Sequence, residues 1–353
     1  LELFGIGYSW GGFESLAVYT DPVELGNRRY FKLEKNEHLV RLHIGLEDPK
    51  DLLKDRIQEF ETNVVDINDQ MTKKVGVVGL GAMGGIYVRH LMSAGFEVAG
   101  YDLIEDYVGA LKKLGMEACQ SPKEVAEASD VIITSLPSSH ALESVIQGDK
   151  GILESGKESL IIIDTCTLKV EDKLAIGESV SAAGMFFLDA PISGGPGGAA
   201  DGTLTIMVGG NLDSFKIAEN AFSMMGKKIS HMGPSGAGTA MKLVNQLLVS
   251  TNTVAAAEAF VLAEQAGVNL ESAIDILNTS WGKSMMIERN GPITVEKEFE
   301  NSPAPLRNLV KDLGIIKELT DQLGLELPVT KASSSVVDTT MSLGLNEPDI
   351  AAT

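Results

Sequence analysis

Two polar side chains on one predicted helix have the types and spacing to handle a proton and a hydroxyl group. In "GPSGAGTAMKLVNQLL", Lys242 and Asn245 stand three residues apart and so share a helix face. A lysine beside a hydroxyl-bearing carbon can accept the alcohol proton, and partial burial would bring its pKa towards working pH. Asn245 could hydrogen-bond the same hydroxyl or a carboxylate. Taken singly, a lysine on an amphipathic helix is more often a solvated charge.

Two further segments could hold an anion or support the site. In "DAPISGGPGG", Ser193, Gly194 and Gly195 could present consecutive backbone N–H groups to a carboxylate. "LVKDLGII" places Lys311 beside Asp312 on a later helix. The formal net charge is -20, so a small anionic substrate must be captured by such local groups against the average field.

A glycine-rich turn indicates a dinucleotide site. Gly79-x-Gly81-x-x-Gly84 follows a strand-like run and precedes a helix-like one, and the next strand ends in Asp102. The first glycine permits the tight turn, the second lets the backbone approach a pyrophosphate, and the third lets helix and strand pack closely. The carboxylate of Asp102 can accept hydrogen bonds from ribose hydroxyls. Leu103 follows it, where an arginine could have paired a 2′-phosphate, so NAD is favoured over NADP. Glycines that serve packing alone are the alternative.

The elements around these residues alternate between strands and helices. Such alternation predicts a doubly wound, mainly parallel sheet. The segments "FFLDAPISGG" and "GTLTIMVGG" are expected to join the sheet as its late strands, with one antiparallel strand at the edge. The apolar runs that predict strands lie at 74–79, 97–101, 131–135, 160–164, 185–190, 204–209 and about 228–231.

After Gly238 the strand-like runs stop and a long helix rich in alanine and leucine begins, ended by Gly267. The fold class is therefore an α/β domain at 74–234 followed by an all-α domain at 235–353. Turns within the second domain are expected near Gly291-Pro292, Pro303 and Gly324.

Composition excludes several classes of protein. Hydrophobic residues are 44% and charged residues 22% of the 353 residues, enough for a sizeable core. The acidic balance argues against nucleic acid as a partner. Only two cysteines occur, Cys119 and Cys166, so no disulfide framework is indicated. The five histidines are scattered, which argues against a metal site. With no signal peptide and no apolar run of about 18 residues, we expect a soluble cytoplasmic protein without a membrane partner.

Taken together, the motifs resemble the β-hydroxyacid dehydrogenase family over residues 74 to about 350. They are "GLGAMG", "LP" at 136–137, "DTCT" at 164–167, "DAPISGG", "GAGTAMKLVNQ" and "KDLGI". The family includes 3-hydroxyisobutyrate, tartronate semialdehyde and L-threonate dehydrogenases. The resemblance implies a Rossmann domain, a helical C-terminal domain and a homodimer or homotetramer.

The resemblance also implies roles for individual residues. Lys242 would be the general acid/base for hydride transfer between NAD and a small β-hydroxyacid, such as 3-hydroxyisobutyrate or the four-carbon L-threonate. Ser193, Gly194, Gly195 and Asn245 would hold the substrate's carboxylate and hydroxyl. The positions expected to bind NAD are Gly79, Leu80, Gly81, Ala82, Met83, Gly84, Asp102, Leu136, Pro137, Thr167 and Lys311.

Some positions depart from the family pattern. Cys166 stands where serine is frequent, and we interpret it as a small buried residue. Gln246 follows Asn245 where many members have a second asparagine. In the L-threonate branch, Ser284, Met285 and Arg307 would line the far end of the substrate.

Other functions stay open at this point. A non-catalytic dinucleotide sensor or scaffold would keep the fold without turnover, and a reductase of a small semialdehyde acid would run the reaction in reverse. Imine reduction is disfavoured, because imine reductases on this architecture typically lack the lysine at position 242.

Residues 1–62 resemble a different family, the carboxy-terminal end of cystathionine β-lyase-like PLP enzymes, through "YSWGGFESL" and "LVRLHIGLEDPKDLLKD". In such enzymes the Tyr8-Ser9 region and Arg41 would lie near the substrate. The remaining PLP machinery has no counterpart here, so PLP is not expected. We expect a short α+β remnant with a helix at 47–61.

Residues 63–73 are expected to form a linker, and Met71 would be the ancestral start of the dehydrogenase. The leading segment would then derive from a gene fusion or a miscalled gene boundary. Gly7-Tyr8-Ser9-Trp10-Gly11 matches a hydrolase nucleophile elbow. Only His38 and His43 follow it within this segment and the dehydrogenase sequence begins soon after, so a hydrolase is disfavoured.

Overall fold

The computed structural model describes most of the chain from residue 74 onwards and three short stretches before it. The chain divides into two compact units, 1–71 and 72–353. The described residues are 5–6, 16–20, 39–43, 74–300, 302, 304–345 and 347–353.

Three strands are described in the first unit: β1 (Gly5–Ile6), β2 (Leu16–Thr20) and β3 (Leu39–His43). β1 pairs with β2 in parallel, and β2 pairs with β3 antiparallel, with Arg41 opposite Val18. β3 lies within the predicted apolar strand. The predicted helix at 47–61, the linker at 63–73 and the Tyr8-Ser9 region lie outside the described residues.

A nine-stranded sheet forms the centre of the second unit, in the order β10-β11-β9-β8-β7-β4-β5-β6, with β12 also paired to β11. Neighbours are parallel except that β11 runs antiparallel to β9 and β10. This confirms the doubly wound, mainly parallel sheet. Its strands are β4 (Lys74–Val78), β5 (Glu97–Tyr101), β6 (Glu117–Ala118), β7 (Val131–Thr134), β8 (Ile161–Asp164), β9 (Phe186–Asp189), β10 (Ile192–Ser193), β11 (Leu204–Gly210) and β12 (Gly226–Gly233).

The central strands are apolar along their whole length because both faces of the sheet are covered. Val77 and Ile133 contribute to the hydrophobic core on one face, and Ile132 and Ile162 to the core on the other. Strands buried on both faces read as continuous apolar runs rather than alternating ones. That is why the sequence located β4, β5, β7, β8 and β9 to within one or two residues.

Helices cover the sheet and form the C-terminal domain. In the sheet, the strand order reverses between β4 and β7. Open sheets of this kind bind ligands in a crevice at the carboxyl ends of the strands where the order reverses. The helices are α1 (Gly84–Ser93), α2 (Glu105–Lys112), α3 (Pro122–Ala128), α4 (Ser139–Gln147), α5 (Val170–Ala182), α6 (Gly195–Ala200), α7 (Leu212–Ile217), α8 (Glu219–Ser223), α9 (Ala237–Gln265), α10 (Leu270–Leu277), α11 (Met285–Glu296), α12 (Leu306–Leu323) and α13 (Pro328–Met341), with 3₁₀ turns at Ile152–Ser155 and Ile350–Ala352.

The C-terminal domain is helical as expected, and its central element is α9. Gly267, at φ +81°, follows its end, and Gly324, at φ +65°, ends α12 as a turn residue. The prediction of a turn at Gly291-Pro292 is wrong, because both residues lie inside α11. A Cβ on Gly291 would lie 3.0 Å from the Ile274 side chain, so close packing on α10 holds this helix through its proline. Pro303 lies outside the described residues.

Helix α9 is long and apolar enough, by length and composition, to cross a membrane. The same helix carries Lys242 and packs against β11, α10, α11, α12 and α13. A central helix of a helical domain passes the same test of length and composition, so this feature is weak evidence for a membrane span.

Candidate active site

The glycine turn after β4 has no room for side chains on its inner side. Gly79 has φ +91°, and a Cβ there would lie 2.2 Å from Ser135 O. A Cβ on Gly84 would lie 1.8 Å from Gly79 O, so both positions require glycine. A Cβ on Gly81 would approach only Tyr107 Cε2, at 3.9 Å, which leaves this side open to a ligand. The N–H groups of the first turn of α1 follow directly and favour an anion. The turn therefore fits a pyrophosphate.

Asp102, at the end of β5, is held beside this turn. Its Oδ2 accepts a hydrogen bond from Leu80 N at 2.6 Å, and its Oδ1 accepts one from Ile104 N at 2.8 Å. Each carboxylate oxygen keeps a further acceptor site, which a ribose hydroxyl can use. Leu103 beside it is 85% exposed and offers no positive charge.

The loops after β7 and β8 meet next to the glycine turn. Leu136 N donates to Cys166 Sγ at 3.0 Å, while Pro137 is exposed and Thr167 partly exposed. Burial, together with the nearby charge of Asp164, raises the pKa of the Cys166 thiol well above its usual value. The thiol therefore stays protonated at neutral pH and acts as a small buried group that joins the two loops.

Ser193 ends β10 and opens a turn with two consecutive glycines. Gly194 has φ +129° and Gly195 has φ +61°, conformations that glycine adopts without strain. Both glycines are exposed, and a Cβ on Gly195 would meet nothing within 4 Å. The turn is thus open to a small anion.

Lys242 and Asn245 converge on one oxygen atom. The Lys242 side chain is buried, and its Nζ donates to Gln246 Oε1 at 2.8 Å. Asn245 Nδ2 donates to the same oxygen at 3.1 Å. The amide nitrogen of Gln246 donates in turn to Asp312 Oδ2 at 2.6 Å. Gln246, noted in the sequence only as a departure from the family, is thus the residue that links the lysine to a buried carboxylate.

Lys311 continues this chain of contacts to the loop after β8. Its Nζ forms an ion pair with Asp312 Oδ1 at 3.0 Å and donates to Thr167 O at 2.7 Å. A continuous path therefore runs from Lys242 through Gln246, Asp312 and Lys311 to the loop after β8. Of the residues predicted for the site, the structure thus connects Lys242 and Asn245 with Lys311 and Thr167.

The surroundings of Lys242 suit proton transfer near neutral pH. Burial lowers the pKa of Lys242 from its usual value to about 8, Asp312 opposes this shift, and the positive charge of Lys311 adds to it. A lysine with such a pKa can be present as a free amine or as an ammonium group at physiological pH.

Three residues expected at the far end of the substrate make other contacts. The Ser284 hydroxyl caps α11 by accepting from Ile287 N at 3.3 Å. Met285 is 76% exposed, and Arg307 forms an exposed ion pair with Glu347.

Sequence reasoning missed two buried carboxylates beside the site. Asp189, at the end of β9, accepts hydrogen bonds from Gly236 and Thr239 at the start of α9. Asp164, at the end of β8, pairs with the fully buried Lys173 of α5. An acidic residue that closes an apolar strand, directly before a loop of the site, is the signal that could have found both. Within the described part of the chain, no group of three or more His, Cys, Asp or Glu side chains could hold a metal ion.

Two protein-family models match the second unit. Residues 74–233 match the NAD binding domain of 6-phosphogluconate dehydrogenase. Residues 236–353 match the domain described as NAD-binding of NADP-dependent 3-hydroxyisobutyrate dehydrogenase. The second unit is thus built from NAD(P)-binding dehydrogenase domains.

Individual relatives agree with these models. The chain is 35% identical to the 2-(hydroxymethyl)glutarate dehydrogenase of Eubacterium barkeri, over 79% of this chain and 93% of that protein. It is 31% identical to the L-threonate dehydrogenase of Cupriavidus necator, over 74% of this chain and 89% of that protein. The 3-hydroxyisobutyrate dehydrogenase of Mycobacterium tuberculosis, solved with L-serine, superposes with a TM-score of 0.73 at 29% identity, over 80% of this chain and 98% of that one. With this fold, this site and these relatives, the chain belongs to the β-hydroxyacid dehydrogenase family and is an NAD(P)-binding oxidoreductase.

Proposed function

We propose that this protein oxidises a small β-hydroxyacid with NAD, and that Lys242 is the general acid/base. The observation that carries the proposal is the buried Lys242 amine, which shares an acceptor with Asn245 and is linked through Lys311 to the loop after β8. Bound NAD would supply the hydride acceptor for the hydroxyl-bearing carbon, and bound NADH would supply the hydride donor in the reverse direction.

The chain's own residues supply binding and proton transfer. Lys242 Nζ accepts the hydroxyl proton in oxidation and gives it back in reduction. Asn245 orients the hydroxyl, and the Ser193-Gly194-Gly195 turn holds the carboxylate through backbone N–H groups. Gln246 keeps the lysine in place as a neutral acceptor. The reverse direction, reduction of a semialdehyde acid, uses the same residues.

We propose NAD as the cofactor rather than NADP. The support is the carboxylate of Asp102, whose charge would repel a 2′-phosphate, with the uncharged Leu103 next to it. The residues that would hold NAD are those of the glycine turn, Leu136-Pro137, Thr167 and Lys311.

The names of the relatives support a class of substrate for this chain. Their names refer to 2-(hydroxymethyl)glutarate, L-threonate and 3-hydroxyisobutyrate, which are all hydroxy acids that carry a carboxylate. We propose the same class for this chain, with 3-hydroxyisobutyrate or a four-carbon sugar acid as the leading candidates.

The test is NADH formation by the purified chain on a panel of acids: L-threonate, D-erythronate, 3-hydroxyisobutyrate, 2-(hydroxymethyl)glutarate, L-serine and glycerate. We expect a strong rate on one of them, and in Lys242→Met a loss of about 100-fold or more with NAD still bound. If no acid is turned over while NAD binds, the non-catalytic sensor becomes the better description.

We further propose a homodimer or homotetramer in the cytoplasm, with α9 at an interface between copies. Val244, Leu248 and Leu262 on this helix are exposed, although a soluble surface favours polar residues. Leu248 and Leu262 also lie on one face with Ala255, at a spacing of seven residues. We place the boundary between the two domains of this unit at residue 235.

The resemblance of residues 1–62 to a PLP enzyme stays a prediction. Both matching family models begin after that segment. We expect this segment to bind no PLP, which an absorbance titration with PLP would test.

A further inference from the structure

Helix α9, which carries Lys242, is capped by a residue far away in the chain. Its N-cap position is Gly236, at φ +87°, which has no side chain to offer. Asp189, which is 1% exposed, takes this role. Its Oδ1 accepts from Gly236 N at 2.8 Å, and its Oδ2 accepts from Thr239 N at 2.7 Å and from the Thr239 hydroxyl at 2.9 Å.

The backbones at this junction are in close contact. A Cβ on Gly238 would lie 2.3 Å from Met207 O and 2.4 Å from Asp189 O. A Cβ on Gly209 would lie 2.4 Å from Asp189 Oδ1 and 2.7 Å from Gly238 N. Because even a methyl group has no space here, the start of α9 has one defined position against β9 and β11.

Both halves of the proposed substrate site extend from this junction. Four residues after Asp189, the chain enters the Ser193-Gly194-Gly195 turn, and three residues after Thr239 it reaches Lys242. A carboxylate suits the junction because it accepts three hydrogen bonds and faces the positive end of the α9 dipole.

We propose that Asp189 is a positioning residue, which fixes Lys242 of α9 relative to the Ser193–Gly195 turn and so sets the distance between the proton acceptor and the bound carboxylate. This inference rests on the proposed function. Asparagine at position 189 has the same size as aspartate. Its NH₂ group, however, would face a backbone N–H donor, so one of the hydrogen bonds to the start of α9 would be lost. A displacement of about 1 Å between reacting groups can cost about 100-fold in rate.

The test compares Asp189→Asn, Thr239→Val and Thr239→Ser with a cap of another helix. Asn269 caps α10, a helix that carries none of the proposed site residues, by accepting from Ser272 N at 3.0 Å, and Asn269→Ala is the matched control. The measurements are kcat and KM on the best acid of the panel, Kd for NAD, and Tm.

We expect kcat to fall by about 10- to 100-fold in Asp189→Asn and less in Thr239→Val, with Kd for NAD unchanged. Thr239→Ser keeps the hydroxyl and should retain activity, and Asn269→Ala should lower Tm without changing kcat. The inference is overturned if Asp189→Asn lowers Tm but leaves kcat and KM at the wild-type values. If Asp189→Asn does not fold, a kcat in Thr239→Val equal to that in Thr239→Ser overturns it.

Failure of the proposed function would be seen separately, as a wild-type chain that oxidises no acid. In that case amide hydrogen exchange tests whether Asp189 fixes the start of α9 relative to the Ser193–Gly195 turn. Asp189→Asn should speed exchange in segments 190–196 and 236–243 together, since the Asp189 side chain ties the start of α9 to the end of β9, from which 190–196 continues. Faster exchange in only one of them, or in neither, would overturn the inference.

Discussion

At the residue scale, the behaviour of Lys242 depends on a neutral neighbour. Its Nζ contacts the amide oxygen of Gln246, and the carboxylate of Asp312 lies on the far side of that amide. Direct contact with a carboxylate would keep the ammonium form charged. With the amide between them, burial prevails and lowers the pKa of Lys242 to about 8.

This arrangement predicts the pH dependence of the reaction. Oxidation needs the free amine, so kcat/KM should rise with pH and level off above about 8, while reduction should decline over the same range. Asp312 raises the pKa of Lys242, so Asp312→Asn should move the rise to lower pH.

The matched control is Asp321→Asn, which removes an exposed carboxylate of the same helix that pairs with Lys317 at 2.6 Å. Its pH profile should equal that of the wild type. An Asp312→Asn profile that coincides with both would contradict the proposed role of Lys242.

Asp102 and Leu103 lead to a prediction about cofactor choice. The Asp102→Asn and Leu103→Arg double variant should gain NADP-dependent activity, because a repelling charge is lost and a pairing charge is added. The expected change in the NAD-to-NADP ratio of kcat/KM is about 10- to 100-fold, as for a hydrogen bond to a charged group. Glu105→Gln, a nearby exposed carboxylate, should leave the ratio unchanged. An unaltered ratio in the double variant would reject Asp102 as the selecting residue.

At the scale of elements, the buried pair of Lys173 and Asp164 joins α5 to the end of β8. Both side chains are 0% exposed, and Asp164 Oδ1 also accepts from the Thr134 hydroxyl at 2.6 Å. Lys173→Met should lower the free energy of unfolding by about 3–5 kcal/mol, because it leaves an unpaired carboxylate in the core.

Urea unfolding measures this effect, and the double variant Lys173→Met with Asp164→Leu is the comparison. The double variant should recover part of the loss, since replacing both charges by apolar groups removes the unpaired ion. A single variant as stable as the wild type would show that the pair does not stabilise the fold.

The elements also show what a sequence can and cannot predict. Long apolar runs such as those of β7 and β8 located the central strands, because burial on both faces leaves an unmistakable pattern. The two-residue strands β6 and β10 are too short to carry any period. Gly291-Pro292 was misplaced because the contact with Ile274 that holds α11 together is tertiary.

For the site, residue types and motifs predicted Lys242, Asn245 and Lys311, but not what connects them. The bond from Gln246 to Asp312 spans 66 residues and that from Asp189 to Gly236 spans 47. Contacts at such separations depend on how α9 packs against α12 and the sheet, which no local pattern contains.

At the scale of the whole molecule, the exposed apolar face of α9 predicts self-association. Leu248 is 52% and Leu262 is 71% exposed. Replacing both with glutamate should dissociate the proposed oligomer, since charges would be buried at the interface. Sedimentation velocity measures the result, with Leu325→Glu as a control because Leu325 is as exposed as Leu248, at 52%, and lies in the turn after α12. A wild-type monomer, or a double variant that sediments like the wild type, would rule out this interface.

The central claim is that a β-hydroxyacid loses its carbon-bound hydrogen to NAD while Lys242 takes the hydroxyl proton. The most direct measurement follows NADH formed from the best acid of the panel, deuterated at the hydroxyl-bearing carbon, in the wild type and in Lys242→Met. We predict NADH that carries deuterium, formed at least about 100-fold more slowly by the variant although NAD still binds. NADH without deuterium, or a variant as fast as the wild type, would contradict the account.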